Sequence, residues 1–340
     1  MFKFSLSPGP PFEEFYVNQK LTLTVSPEDL SDLPKVIHVR IREMISNTMS
    51  FTMLVDILDR DDDISLTGTS TFFLKLFDRR FSKAFRDQVP WSTARERAFV
   101  KAATIGREGL DGFVFSICAL ENYREQTAQA WTVAQREACL AVDIADVYYD
   151  ELSVYDALQD FQGQSIPRFV ASLELDISPL GVDVPPRDPN AAFATFEPFI
   201  VKGILLERIE GFTLWDMPDR GVPRWQWQGL VDKARRMLDI LDDNEILNMD
   251  VQPQNFIVAP LTDKPESTDD YKVYMIDFGM CRFREENESN LVWSVAKNTY
   301  NGDGRLFYWM NIRLEREGFV LRNDGFPGYR PWDPSLLDAM

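Results

Sequence analysis

Asn248-Met249-Asp250-Val251-Gln252-Pro253-Gln254-Asn255 is followed, one hairpin's worth of residues later, by Ile276-Asp277-Phe278-Gly279. Together the two stretches supply one carboxylate suited to a general base, Asp250, and two oxygen donors suited to a hard cation, Asn255 and Asp277. Phosphoryl transfer uses such parts: a carboxylate orients the attacking hydroxyl, and divalent ions held by Asp and Asn oxygens neutralise the phosphates. Each motif alone has a bland reading. Asp and Asn side chains cap backbone groups in turns, and Asp-Phe-Gly can end a strand with its glycine at positive φ. The sequence between them joins the two. Phe256-Ile257-Val258 and Val273-Tyr274-Met275-Ile276 are short apolar runs with β-branched content that read as paired strands, and Pro260 to Asp270 is polar, Pro-containing loop sequence.

Two further charges stand upstream. Lys75 interrupts the apolar run Thr71–Phe77, which reads as a buried strand. A buried ammonium is costly without an anion, whereas a strand-edge lysine would carry its head to water. Glu151 opens a segment in which Leu152, Tyr155 and Leu158 recur at helical spacing, placing it at the edge of that stripe. It either faces Lys75 or, with Asp146 and Asp150, decorates a helix start where acids complement the macrodipole.

The order of these parts resembles the protein-kinase-like superfamily. Leu74 to Phe81, then Glu151 to Leu158, Gln162-Gly163 and Ile166-Pro167, are similar to the divergent kinase-like proteins of filamentous fungi. The resemblance covers residues 36 to 295. It implies an α+β, two-lobed protein-kinase-like fold: an antiparallel-sheet N-lobe (1–206) with a helical insertion at about 82–145, and a mainly helical, shortened C-lobe (207–340). It also implies Lys75 on the third strand paired with Glu151 of the C helix, and adenine contacts at backbone groups near Glu207 and Ile209 in Gly203–Gly211, the fifth strand and hinge. Asp250 is then the base and Asn255 and Asp277 hold Mg²⁺. The implied activity is transfer of the γ-phosphoryl of ATP to a hydroxyl on a protein or small molecule.

The departures from that pattern matter too. Asn248-Met249 stands where the family has His-Arg, which argues against control by a phosphorylated activation loop. Gln252 replaces a common lysine, so a cation at the transferring phosphoryl group is missing, and Arg282 or Arg284 is the nearest substitute by position. No Gly-x-Gly-x-x-Gly precedes Lys75 and no Ala-Pro-Glu follows Cys281. These losses favour small-molecule or atypical substrates, and they support the alternative of a pseudokinase acting as a nucleotide-binding or interaction scaffold.

Composition bounds the rest. A chain of 340 residues, 45% of them hydrophobic, can bury a large core. A net charge of −18 repels phosphate backbones, so nucleic acid is not the expected partner. Three scattered cysteines, Cys118, Cys139 and Cys281, suggest neither a disulfide framework nor a zinc site, which fits the cytoplasm or nucleus. With one histidine, Ser-His-Asp or Cys-His chemistry would have to use His38, which sits in an alternating strand pattern, and is not expected. Neither a signal peptide nor a membrane span is expected.

Further strands are expected at Leu21–Val25, Val36–Glu43 and Phe51–Ile57, with Asp61–Asp63 a solvated loop and Asp176–Pro189 a connector. Residues 91–158 read as helices, one starting near Ser92, one from Ala128 to Val142 and one from Ile144, with Trp131 and Phe113–Phe115 in a core. A long helix begins at Pro223. Its Trp227, Leu230, Val231, Ala234, Leu238 and Leu241 make a buried stripe, and it ends at Asp242-Asp243-Asn244. In the last forty residues Phe307, Tyr308, Trp309, Phe319 and Phe326 would pack on the C-lobe or cover its cleft.

Overall fold

Alternation writes the first strands. In Lys20–Val25 (β1) Leu21, Leu23 and Val25 point inward while Lys20 and Thr22 face solvent, the period of two that a half-buried strand imposes. Val36–Asn47 (β2) continues the pattern with Ile37, Val39 and Ile41 inside and the lone His38 outside. Phe51–Ile57 (β3) and Thr71–Phe77 (β4) are buried along almost their whole length, as strands covered on both faces are. The computed structural model describes residues 15–26, 33–58, 71–86, 89–105, 107–179 and 196–322, with backbone alone at 105 and 107–109. The Asp61–Asp63 loop, residues 180–189 of the connector and Phe326 lie outside the described residues.

The chain divides into two compact units, one of Met1–Tyr148 and Val170–Glu207, the other of Tyr149–Phe169 and Arg208–Met340. In the first, β4 is followed by Lys83–Arg86 (α1), Thr93–Ile105 (α2), Arg107–Ala119 (α3), Tyr123–Thr127 (α4) and Val133–Ala157 (α5), then Phe169–Asp176 (β5) and Ile200–Glu207 (β6). The strands close into a barrel in the order β1-β2-β3-β4-β6-β5. Closure was not part of the sequence expectation of an antiparallel sheet. It comes from β5 returning to β1, with Thr24 opposite Glu174 and Val25 opposite Leu173. Register shifts in β2 against β3, between Ile41/Glu43 and Met44/Ser46, supply the bend that closure needs. Leu23, Val39, Met53, Val55, Leu74 and Leu173 fill the interior.

The helices pack around Phe99, Leu110, Phe113, Val114, Ala138 and Phe199. Ser92 starts α2, accepting a hydrogen bond from the Arg95 amide at 3.3 Å. Trp131 sets its ring edge-on to Phe113 at 5.0 Å, but Phe115 is 43% exposed and leaves the expected core. Where two helices are expected, Ala128–Val142 and Ile144 onward, α5 runs unbroken from Val133 to Ala157. A buried ion cluster ties the chain after β4 to α2 and α5. Arg79 donates to Glu137 at 2.8 Å and to Glu96 at 2.7 Å, and Arg86 donates to both oxygens of Glu137 at 2.9 and 2.6 Å.

The second unit takes the end of α5 and adds Phe212–Thr213 (β7), Arg224–Asp243 (α6), Ile246–Asn248 (β8), Phe256–Pro260 (β9), Tyr271–Met275 (β10), Cys281–Phe283 (β11), Asn290–Tyr300 (α7) and Gly302–Glu315 (α8). Its strands make two small sheets, β10-β9-β7 and β11-β8. Along α6 the six stripe residues are all buried, joined by Gln226. Phe307 is buried on α8, and Phe319 packs on Trp227 at 5.4 Å. No helix among the described residues is long and apolar enough to cross a membrane.

Candidate active site

Two hairpin-like pairings hold the motif loops together inside the second unit. Helix α6 ends at Asp243, Glu245 turns the chain at φ 55°, and β8 pairs with β11, setting Asn248 opposite Cys281. The Met249 amide extends that ladder to the Met280 carbonyl at 2.9 Å. On the other side, β9 and β10 pair with Phe256 opposite Met275, and the Ile276 amide donates to the Asn255 carbonyl at 2.9 Å. The loop carrying Asp277 is therefore fastened at both ends, through Ile276 and Met280, to the loop carrying Asp250 and Asn255.

Asp277 adopts φ 66°, a left-handed conformation that aspartate tolerates better than most residues. The next side chain, Phe278, is fully buried and sets its ring edge-on to Tyr155 of α5 at 5.5 Å. That anchor fixes the backbone on which the Asp277 carboxylate stands.

Asp250 is oriented by three groups. Its amide donates to Asn248 Oδ1 at 2.8 Å, closing a local turn. Its Oδ1 accepts from Gln252 Nε2 at 2.7 Å and lies 3.7 Å from Arg305 Nη2. Both side chains address the same oxygen, so Oδ2 accepts from no described residue. Asn255 Nδ2 donates to the Asp250 carbonyl at 3.1 Å. Since a carbonyl can only accept, the NH₂ group faces it and the amide oxygen faces away.

That oxygen and the Asp277 carboxylate are hard donors carried on two tethered loops. Among the described residues no group of three or more His, Cys, Asp or Glu side chains could hold a metal. Hard oxygens of this kind are the donor type Mg²⁺ takes, and it keeps waters and phosphate oxygens rather than filling its shell from protein.

The remaining expected site residues are placed as follows. Glu151 is 0% exposed and lies one turn before Tyr155 in the second unit, in the interior of α5 rather than at a helix start. Lys75 belongs to the first unit, 3% exposed in β4 opposite Thr52 and Ile204, its ammonium 5.7 Å from the Phe77 ring centroid. Glu207 is the last residue of β6, opposite Phe72, and Ile209 follows outside regular structure.

Arg282 and Arg284, the expected substitute cations, are engaged elsewhere. Arg282 holds Glu288 through two 2.9 Å hydrogen bonds, which raise its pKa, and Arg284 donates to Glu245 at 2.7 Å. The guanidinium that does reach Asp250 is Arg305, which no motif spacing pointed to. It is 7% exposed on α8 and donates Nη1 to the Met249 carbonyl at 2.6 Å. Burial pulls its pKa down, and the charge of Asp250 works against that.

No family model and no curated protein matches the chain. Among solved structures it is similar to WaaP in complex with acyl carrier protein, with a TM-score of 0.30 and 19% identity over 44% of this chain and 55% of that one. It is also similar to a cysteine-to-alanine mutant of the Mycobacterium tuberculosis PknI kinase domain, with a TM-score of 0.35 and 12% identity over 80% of this chain and 74% of that one. The chain thus spans about half the length of the WaaP structure. Neither likeness bears on a fungal origin, and at such TM-scores the site geometry alone carries the functional argument.

Proposed function

We propose that the chain is an ATP-dependent phosphotransferase of the protein-kinase-like superfamily, its first unit answering to the small lobe and its second to the large one. The observation that carries this reading is the double fastening of the Asp277 loop to the Asp250–Asn255 loop, through Ile276 to Asn255 and Met249 to Met280. It sets a candidate base and two candidate metal ligands on one framework. Asp250 Oδ2 takes the proton of the acceptor hydroxyl. The hydroxyl oxygen bonds to the γ-phosphorus, the bond from that phosphorus to the bridging oxygen breaks, and ADP leaves. Asn255 Oδ1 and Asp277 would hold Mg²⁺, which when bound would neutralise phosphate charge.

Purified protein with Mg·ATP should release phosphate, and Asp250→Asn should abolish release while keeping the melting temperature. Unchanged release in that variant would remove Asp250 as the base.

One feature favours a second reading, a pseudokinase that binds nucleotide or partners without turnover: Gln252 holds Asp250 Oδ1 at 2.7 Å in the place of a lysine that would carry charge. Thermal-shift titration separates the two. Nucleotide at a hundred times its Kd stabilises by about 2.7 kcal/mol, so a shift without phosphate release selects the pseudokinase.

A further inference from the structure

We infer that Arg305 is the positioning residue of the Asp250 loop, gripping the Met249 carbonyl with one arm of its guanidinium and facing Asp250 Oδ1 with the other. The inference rests on the phosphotransferase reading for its catalytic consequence, but not for its structural content. Met249 and Asp250 are consecutive, so one planar fork spans the peptide group and the side chain whose relative orientation decides where Oδ2 points. Arginine suits this task because its donors are rigidly spaced, whereas lysine is a point charge on a flexible stem.

Besides Arg305, the Asp250 carboxylate is met among the described residues by Gln252 alone. Gln252 reaches the same Oδ1 from within the loop, so it moves with the loop and cannot fix it to the rest of the unit. Arg305 comes from α8, whose start is set by Asn301, where the side chain accepts from the Gly304 amide at 3.1 Å. The helix also packs through buried Leu306, Phe307, Met310 and Leu314. A guanidinium mounted on a packed helix transmits that rigidity to the loop. It also places a cation beside the candidate base in a chain whose sequence lacks an arginine immediately before that aspartate, the position being Met249.

Arg305→Met and Arg305→Lys test this through two readouts that a merely structural role would not move together. The first is amide hydrogen exchange across 246–252. The second is kcat and KM for hydrolysis of Mg·ATP, with water as acceptor. In Arg305→Met, exchange at Met249 and Asp250 should quicken about tenfold while α6 stays protected. The value of kcat should fall between about tenfold and a hundredfold, as misplacement of a reacting group does, with KM for ATP within about twofold of wild type. Arg305→Lys, which keeps charge but loses the fork, should recover little of either. Unchanged loop exchange in a folded variant, or full recovery by lysine, overturns the proposal. Should Arg305→Met fail to fold, the lysine variant decides by the same two measurements. Should the wild-type protein hydrolyse no ATP, the phosphotransferase reading fails, and loop exchange alone decides the positioning role.

Discussion

Glu137→Gln probes the buried cluster that fastens α2 and α5 to the chain after β4. Glu137 is 0% exposed and meets Arg79 at 2.8 Å, Arg86 at 2.6 Å and Arg95 at 3.9 Å, while Glu96 shares Arg79. The substitution is near-isosteric, so it leaves no cavity and isolates charge. Three guanidiniums then face one carboxylate, and Arg86 loses its carboxylate partner in a buried setting. Breaking a buried pair by removing one charge costs about 3–5 kcal/mol. At about 2–4 °C per kcal/mol for a unit of this size, the melting temperature at pH 7 should fall by about 6–20 °C.

The pH dependence supplies a second check. Burial alone would raise the Glu137 pKa, but the hydrogen bonds from Arg86 and the charges of Arg79, Arg86 and Arg95 outweigh it and bring the value below 4.5. A depressed carboxylate stabilises the fold fully above its unfolded value and loses that contribution as pH falls through the folded one. The gap between wild type and variant should therefore be full at pH 7 and shrink below pH 4.5. Circular dichroism melts at pH 7, 5, 4 and 3 measure it. A loss below about 2 °C at pH 7, equivalent to under about 1 kcal/mol, or a gap that stays constant into acid, would refute the account of the cluster.

Gly211→Ala should destabilise the second unit by about 1–3 kcal/mol, because a Cβ there would stand 2.5 Å from the Val258 carbonyl oxygen and 2.9 Å from Ile257 Cγ2; a melt identical to wild type would show that β9 can give way. Cys139 should resist a thiol reagent at pH 8 in the native protein, since burial and Asp143 push its thiol up to about 12. Exposed Cys118, also raised by burial and Asp146, should react slowly but measurably. Mass spectrometry showing Cys139 modified ahead of Cys118 would contradict this.

What the sequence made legible was local and periodic. Thr71–Phe77 reads as a strand because it is apolar throughout, and α6 reads as a helix because six buried residues recur at three- and four-residue spacing. The hairpin between the motifs follows from two β-branched runs around a polar loop. Pairings set by residues far apart in sequence were not legible. The barrel closes through Val25 and Leu173, which no local pattern relates. Arg305 sits in a helix with no motif of its own, while Arg282 and Arg284, nearer in sequence to Asp277, are captured by Glu288 and Glu245. Separate helices are expected up to Val142 and from Ile144, yet no Gly or Pro stands between Ala141 and Ile144 to break α5. Phe115 could have been recognised as outward-facing, since a helix that buries Phe113 and Val114 turns the next residue about 100° further round.

A barrel has no outermost strand. With β1 and β5 paired at Thr24–Glu174 and Val25–Leu173, the six strands of the first unit join in a ring. At that seam an extended peptide would have to displace an existing pairing to add itself as a seventh strand, which narrows both a common route of β-mediated aggregation and one common way of recruiting a partner. A protein that recognises this unit at the seam would therefore read side chains rather than a free strand edge.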